Sequence, residues 1–201
     1  MTNERLSESR ESEPVKTSNI EREIKLAFDS PVNARAAILA IGAVPLRARR
    51  LQDDTLYDTT AATLRDSGAV LRLREDGAQS AVTLKGPAES TLMKVREEYE
   101  TNVSDLGVLR RVFGAVGLAP WFRYQKYREE FSASGVTIAV DETPVGTFVE
   151  LEGSEDGILA VAAALGRAPA DFIVDSYRTL FLRYAAGRDI TGEMVFPAQK
   201  T

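Results

Sequence analysis

Short stretches in which charged and hydrophobic residues alternate recur along the chain, and this pattern predicts β-strands. The first runs from about Ile20 to Phe28, where Glu21, Glu23 and Lys25 occupy every second position and therefore point to one side of a strand. Comparable stretches are "VLRLR", "VTLK", "VREEYE", "QKYREEF", "IAVD" and "FVELE". In most of them one face is charged and the opposite face is more apolar.

Segments with helical spacing separate groups of these strands. Ser30 is the expected N-cap of a first helix with Pro31 at its first position, and Ser104 is the expected N-cap of a second helix. Two more helices are expected near the end of the chain, the last one capped by Asp175 or Ser176. The short connections between strands imply antiparallel pairing, so the predicted class is α+β.

Length and composition indicate one domain. The chain has 201 residues, of which 44% are hydrophobic, enough to form a substantial core. Residues 1–18, polar and rich in Ser and Glu, are expected to be a disordered leader, residues 19–190 the domain, and residues 191–201 a C-terminal tail. No run of 18 apolar residues and no apolar segment near the N-terminus occurs. Neither a membrane span nor a secretory signal is therefore predicted, and a cytoplasmic location is expected.

The absence of two residue types excludes several kinds of chemistry. The chain contains no cysteine and no histidine, which removes disulfides, zinc–thiolate sites and Ser-His-Asp hydrolysis. A metal would have to be held by carboxylates, which suit Mg²⁺, Mn²⁺ or Ca²⁺. The net charge of −5 argues against general nucleic-acid binding.

The charged strand faces have two explanations. They could form the solvated face of an antiparallel sheet, in which cross-strand ion pairs each contribute little. However, few Ser, Thr, Gln or Asn residues dilute them, and basic and acidic residues are segregated onto different strands. If the sheet closes into a barrel, the apolar faces lie outside under helices and the charged faces line the interior. Such an interior would need a polyanion and a metal to balance its charges.

Glu21, Glu23 and Lys25 form an ExExK motif, and six further blocks follow it in the order "YDT", "LRLR", "TLKGP", "REEYE", "KYR" and "VDETPVGTFVELE", with a late "DSY". ExExK alone is a weak signal, but the ordered set, over about Ile20 to Tyr184, is specific. In these blocks the chain resembles the CYTH superfamily, also called triphosphate tunnel metalloenzymes. That superfamily includes class IV adenylyl cyclases, thiamine triphosphatases and inorganic triphosphatases.

The resemblance implies a closed eight-stranded antiparallel β-barrel, or tunnel, with a charged interior and helices packed outside. The side chains expected to bind phosphate are Lys25, Arg72, Arg74, Lys85, Lys126 and Arg128, with Arg96 as a further candidate. Those expected to hold Mg²⁺ or Mn²⁺ are Glu21, Glu23, Glu98, Glu100, Glu150 and Glu152. Lys85, Glu23 and Arg74 are the expected catalytic residues, and Asp141 is expected in the tunnel without an assigned role.

The expected function is a divalent-metal-dependent hydrolase that binds an inorganic or organic triphosphate in the tunnel and releases orthophosphate. The alternative is a class IV-type adenylyl cyclase that converts ATP to cyclic AMP and pyrophosphate. The lack of histidine mildly disfavours the cyclase, because some cyclase members carry a His-containing segment. A third possibility is a non-catalytic polyphosphate-binding module. The expected partner is a small triphosphate-containing molecule, with no nucleic acid and no membrane, and the oligomeric state is open.

Two groups of residues are interpreted more conservatively. Trp121 and Phe122 are expected to pack in the core or a lid, since aromatic side chains are more often buried than available to stack on a base. Arg47, Arg49 and Arg50 could extend the basic wall or lie in solvent, and both alternatives stay open.

Overall fold

The strands of the protein close into one antiparallel barrel. The structure, a computed structural model, describes residues 19–90, 92–188, 190 and 192–197. Its strands are β1 (Ile20–Phe28), β2 (Val44–Thr59), β3 (Val70–Asp76), β4 (Gln79–Lys85), β5 (Glu89–Ser90), β6 (Lys94–Asn102), β7 (Leu118–Ala133), β8 (Val136–Thr143) and β9 (Gly146–Glu152). Around the barrel the order is β1-β9-β8-β7-β2-β3-β4-β6, and β6 pairs with β1 to close it. The two-residue β5 pairs with β6 beyond the end of β4.

Five α-helices lie outside or at the end of the barrel: α1 (Pro31–Ala40), α2 (Thr63–Asp66), α3 (Leu106–Ala115), α4 (Glu155–Ala164) and α5 (Tyr177–Ala185). Ser30 caps α1 and Ser176 caps α5, each accepting a backbone N–H three residues on. The prediction that Ser104 caps α3 is wrong. The carboxylate of Asp105 accepts the N–H of Val108 instead, so the helix starts one residue later.

The largest core lies between the outer face of the barrel and helices α1 and α4. Ile24 and Leu26 of β1 and Leu151 of β9 are fully buried there, against Ile38 of α1 and Ile158 of α4. Burial of each such side chain contributes roughly 1.5–3 kcal/mol. The apolar faces of these strands therefore point outward under helices, and the charged faces point inward.

Two smaller clusters complete the packing. Helix α3 covers Tyr57 and Leu73 with Phe113, whose ring meets Tyr57 edge-on at 5.1 Å. Helix α5 packs Phe181 against an inward-facing aromatic group that includes Phe122 and so covers one end of the barrel interior. The predicted α+β class and the closed eight-stranded antiparallel barrel with helices outside are confirmed.

The structure describes part of the predicted C-terminal tail but not the predicted N-terminal leader. The predicted leader, residues 1–18, lies outside the described residues. In the segment predicted as a C-terminal tail, Met194 is fully buried and forms a parallel bridge with Tyr124 of β7. Among the described residues, no helix combines the length and the apolar character needed to cross a bilayer.

Candidate functional site

The inward faces of the strands surround a cavity of about 610 Å³ that extends along the whole of β3, from Val70 to Asp76. All the charged residues predicted for the site line it except Asp141: Glu21, Glu23, Lys25, Arg72, Arg74, Lys85, Arg96, Glu98, Glu100, Lys126, Arg128, Glu150 and Glu152. Asp141 is fully buried beneath the lining. The alternating positions in the sequence thus meet in one cavity because six different strands present them to it.

On β1, the ExExK motif forms the centre of a buried ion-pair group. The Lys25 ammonium donates to Glu23 at 3.1 Å and lies 3.2 Å from a carboxylate oxygen of Glu150 on β9. Lys94 of β6 also donates to Glu23, at 3.1 Å. Burial alone would raise the pKa of Glu23, but Lys25 and Lys94 more than offset it, so the pKa is held far below its usual range. These carboxylates stay ionised in the interior.

Asp141 on β8 organises the next part of the wall. Arg128 donates to both of its carboxylate oxygens, at 2.7 and 2.6 Å, and Lys126 donates to one at 2.9 Å. Tyr177, at the start of α5, donates its hydroxyl to the same carboxylate. Burial, followed by the charge of Arg128, lowers the pKa of Lys126 to about 8. Asp141 therefore positions two predicted phosphate ligands instead of facing the cavity itself.

Lys85 at the end of β4 bridges two carboxylates. Its ammonium donates to Glu21 on β1 at 2.7 Å and to Glu98 on β6 at 3.0 Å. Arg96 donates to the other oxygen of Glu21 at 2.8 Å. Burial would raise the pKa of Glu98, but Lys85 outweighs it and the pKa is lowered. This group joins β4, β6 and β1 across the line where the barrel closes.

Arg72 and Arg74 lie side by side on β3 and share a carboxylate. Arg74 donates to both oxygens of Asp54, at 2.8 and 3.1 Å, and Asp54 is fully buried. Arg72 donates to Thr83 at 3.0 Å and to Glu100 at 3.2 Å. The Nε atom of Arg72 is buried and has no hydrogen-bond partner among the described residues. It lies 3.6 Å from Asp54 Oδ1, so the carboxylate that binds Arg74 also compensates the charge of Arg72.

Three buried residues of this network were not predicted. Asp54 follows Gln52 on the inward face of β2, a face with too few charged residues to be recognised from the sequence. Lys94 shares a strand face with Arg96 and Glu98, so strand parity indicates it as well. Tyr177 belongs to the "DSY" block but was given no role.

The three arginines of β2, for which a place in the basic wall and a place in solvent were both open, differ from one another. Arg47 lines the cavity at its far end and lies 3.2 Å from Asp76. Arg50 donates to Asp76 at 2.6 Å and to Glu130 at 2.7 Å. Arg49 lies over the Tyr127 ring and pairs with Glu142, away from the lining. Two of the three thus support the basic wall.

The end of the cavity near α5 has a different composition. Phe148 and Tyr177 meet edge-on at 5.9 Å, and Phe122 stacks near Tyr124 at 6.0 Å. Phe122 is buried in this aromatic group, as expected. Trp121 is only partly buried and lines the cavity.

The carboxylate oxygens of the cavity are suitable ligands for a divalent cation, but their present positions do not form a metal site. Glu21, Glu23, Glu98 and Glu150 supply hard carboxylate oxygens to one cavity. Within the described part of the chain, however, no three acidic side chains come together as a ready group of metal ligands. Each of the four is held by a lysine or arginine, so a metal would have to replace some of these contacts.

Comparison with known proteins agrees with this geometry. The CYTH domain model matches residues 19–167, about three quarters of the chain. The chain belongs to the CYTH family, so the resemblance found in the sequence is confirmed. A protein of Methanocaldococcus jannaschii, named as a candidate adenylate cyclase, is 27% identical to this CYTH chain over 136 residues, which is 67% of this chain and 77% of that protein.

Solved structures share the fold. A candidate adenylate cyclase from Vibrio parahaemolyticus has a TM-score of 0.73 at 21% identity and covers 83% of this CYTH chain and 99% of that one. A candidate adenylyl cyclase from Hippeastrum, described as revealing a dominant triphosphatase activity, has a TM-score of 0.60 at 18% identity, with 85% and 97% covered. At these identities the likeness shows the architecture alone.

Proposed function

We propose that this CYTH protein is a divalent-metal-dependent triphosphatase, which binds an inorganic or organic triphosphate in its tunnel and releases orthophosphate. The observation that carries the proposal is the convergence of six basic side chains on one cavity: Lys25, Arg72, Arg74, Lys85, Lys126 and Arg128. Guanidinium forks and ammonium groups are suited to phosphate oxygens. Arg72 and Arg74 share the buried carboxylate of Asp54, which holds both guanidinium groups beside the cavity.

The carboxylates explain how such a cationic interior can exist before a ligand binds. Each of the six cations has a carboxylate partner within 3.2 Å, so the charges are compensated inside the barrel. A triphosphate would exchange some of these contacts for phosphate oxygens. Because both sets of charges are retained, the interior suits a complex of polyanion and cation better than a polyanion alone.

Glu21, Glu23, Glu98 and Glu150 are the proposed ligands of Mg²⁺ or Mn²⁺, and Glu100 and Glu152 are proposed to contribute nearer the edge. When bound, the metal would neutralise phosphate charge and supply Lewis acidity.

The chemical step needs positioning and charge stabilisation more than covalent help from the protein. Arg74 and Lys85 are the groups proposed to stabilise charge on the phosphate oxygens as the terminal bond breaks. Glu23 is proposed to orient the attacking water, since the charges of Lys25 and Lys94 outweigh the effect of burial and keep its carboxylate ionised.

Adenylyl cyclase activity is the second candidate, favoured by the name of the M. jannaschii relative. The same basic side chains would bind the triphosphate in both reactions. In the cyclase the nucleophile is the ribose 3′-hydroxyl and pyrophosphate leaves. In the hydrolase water attacks the terminal phosphorus, the bond to the diphosphate breaks, and orthophosphate and a diphosphate are the products.

A substrate panel with Mg²⁺ or Mn²⁺ tests both candidates by assaying phosphate and cyclic AMP. Phosphate released from tripolyphosphate or an organic triphosphate, without cyclic AMP, would support the hydrolase. Cyclic AMP with pyrophosphate would reverse the order. Binding of tripolyphosphate with neither product would indicate a non-catalytic polyphosphate-binding module. A cytoplasmic location stays a prediction.

A further inference from the structure

Trp121 reaches the cavity because of an irregularity in the pairing of β2 and β7. Leu56 pairs with Phe122 and Tyr57 pairs with Pro120, so Trp121 is the extra residue between two consecutive pairs. A bulge of this kind bends the strand and re-aims a side chain, and bulges are common beside functional sites. Without it, Trp121 would share the outward face with Arg123. With it, the indole lines the tunnel mouth next to α5.

Two guanidinium groups lie over the indole ring. The Cζ atom of Arg65 on α2 is 4.4 Å from the ring centroid, and that of Arg178 on α5 is 4.9 Å from it. Arg65 is fixed by buried Asp58, which accepts its Nε–H at 2.9 Å as well as the backbone N–H groups of Leu64 and Arg65. Strand β7 and two helices thus bring two guanidinium groups against one indole ring at the mouth.

Arg178 differs from the other cations of the lining. The remaining lysine and arginine side chains that line the cavity each have a carboxylate partner: Lys25, Arg47, Arg65, Arg72, Arg74, Lys85, Lys94, Arg96, Lys126 and Arg128. For Arg178 the structure gives no carboxylate partner among the described residues, only its contact with Trp121. No carboxylate of the described residues therefore holds its guanidinium group, which lies against the indole and can contact a planar ligand there.

The surroundings of the indole ring are apolar, in contrast to the rest of the tunnel. Leu56, Ala69 and Val70 line the cavity beside Trp121, whereas the central lining is almost entirely charged. A bare polyphosphate would gain nothing from apolar surface and an indole ring. Planar bases do stack on aromatic rings and on guanidinium planes.

We propose that Trp121, Arg65 and Arg178 form a subsite for the planar aromatic base of an organic triphosphate, with the phosphate chain extending from it into the charged centre. The inference rests on the proposed function and narrows its substrate class from any triphosphate to one that carries an aromatic base. Trp121 and Arg178 are then residues that determine specificity, and they act on the base and not on the reacting phosphate.

Trp121 is the only tryptophan in the chain, so its fluorescence reports on this subsite alone. The full-length protein would be titrated with ATP, thiamine triphosphate, ribose 5-triphosphate and tripolyphosphate. A change in Trp121 emission that saturates with ATP or thiamine triphosphate, and is absent with the two base-free compounds, supports the subsite and tells which base it takes. The same emission change with all four compounds overturns it.

Kinetics with variants provide an independent measurement. Arg178→Gln and Trp121→Leu should each lower kcat/KM for the aromatic triphosphate roughly tenfold, because one stacking interaction is lost. The value for tripolyphosphate should change by no more than about twofold. Trp121→Phe should retain most of the preference. Arg183→Gln is the matched control, since Arg183 lies on the same helix but pairs with Asp175 on an exposed face.

The two hypotheses fail in different ways. Equal losses on the aromatic triphosphate and on tripolyphosphate would overturn the base subsite and leave the triphosphatase proposal intact. If the wild-type protein neither binds nor cleaves any of the four compounds, the proposed function fails and the subsite fails with it.

Discussion

Two parts of the barrel wall present charged residues to the same cavity but are supported differently from outside. The covered wall, strands β1, β8 and β9, carries the large core under α1 and α4 on its outer face. The open wall, strands β4 and β6, leaves Leu84 41% exposed and Tyr99 49% exposed on its outer face. Inside, Glu150 on the covered wall is buried, whereas the Glu100 side chain on the open wall is 46% exposed.

The difference indicates how stability and function are divided. On the covered wall, removing a charge leaves its partners without solvent to compensate them, so mutations there should cost folding free energy. On the open wall, water can reach the carboxylates, so a mutation can remove a ligand group and leave the fold intact. We therefore expect the two walls to respond differently to similar substitutions.

The largest effect is expected for Asp141→Asn on the covered wall. The substitution leaves Arg128 and Lys126 without their shared buried carboxylate, and it should lower the free energy of unfolding by about 3 kcal/mol. Urea denaturation would measure it. The control is Glu142→Gln on the same strand, whose exposed pair with Arg49 should be worth less than about 1 kcal/mol. Equal effects of the two substitutions would contradict the comparison.

Glu98→Gln on the open wall should affect turnover far more than stability. The Glu98 side chain is 15% exposed and Lys85 keeps its contact with Glu21, so the free energy of unfolding should fall by about 1 kcal/mol, less than for Asp141→Asn. Metal-dependent phosphate release should fall by about a hundredfold if the charge of Glu98 helps to hold the metal. Glu97→Gln, on the exposed outer face, is the control and should keep wild-type turnover. Wild-type turnover of Glu98→Gln at limiting metal would count against its assignment.

The pH dependence of binding should reveal Lys126, whose pKa is lowered to about 8 by burial and by Arg128. Above that pH the amine is neutral, so affinity for tripolyphosphate should fall by up to about tenfold. In Lys126→Arg the fall should be absent, because arginine stays charged. The groups facing Lys126 are Arg128, Asp141, Glu150, Arg74 and Tyr177. A fall of the same size in both proteins would assign the effect to another group.

Ionisation of Lys126 should make the protein more stable as the pH rises, whereas affinity for tripolyphosphate falls. The pKa of Lys126 is lower in the folded protein than its ordinary value of 10.5, so between about pH 8 and 10.5 the unfolded chain binds more protons. The contribution of Lys126 therefore makes the free energy of unfolding rise with pH in that window. Comparison of wild type with Lys126→Met across this window would isolate the contribution.

The smallest effect is expected for Leu84→Thr on the outer face of the open wall. Because Leu84 is already 41% exposed, the free energy of unfolding should change by less than about 0.5 kcal/mol. A loss larger than about 1 kcal/mol in a thermal or urea transition would mean that this face is buried in solution.

Where strands are regular, the sequence predicted which side chains share a strand face, because side chains alternate strictly there. Parity placed Glu23, Arg74 and Lys85 on the charged faces of their strands, and the closed barrel implied by the family resemblance placed those faces on one inner surface. Asp54 was missed because its strand face also carries Gln52 and Leu56, which dilute the charge pattern. Lys94 was missed because it starts a strand after an irregular segment, although its parity matches that of Arg96.

The positions of Trp121 and Asp141 depend on contacts between strands, which cannot be read from the alternation of residues within one strand. Trp121 changes faces through a bulge, which is set by how β7 pairs with the distant β2. Asp141 follows the inward parity, yet Arg128 and Lys126 close over it, so it supports the lining from beneath. The N-cap at Asp105, one residue beyond the predicted Ser104, lies within the uncertainty usual for helix boundaries.

Closure of the barrel depends on a short seam. Within the described residues β1 and β6 pair over Ile20–Glu23 and Lys94–Glu97, whereas β2 and β7 pair along nearly their whole length. Glu21 and Glu23 lie on one side of this seam, and Lys94 and Arg96 lie on the other. A phosphate or cation bound by side chains of both strands would hold β1 and β6 together. Substrate and metal should therefore slow hydrogen exchange along β1 and β6 more than along any other pair of strands.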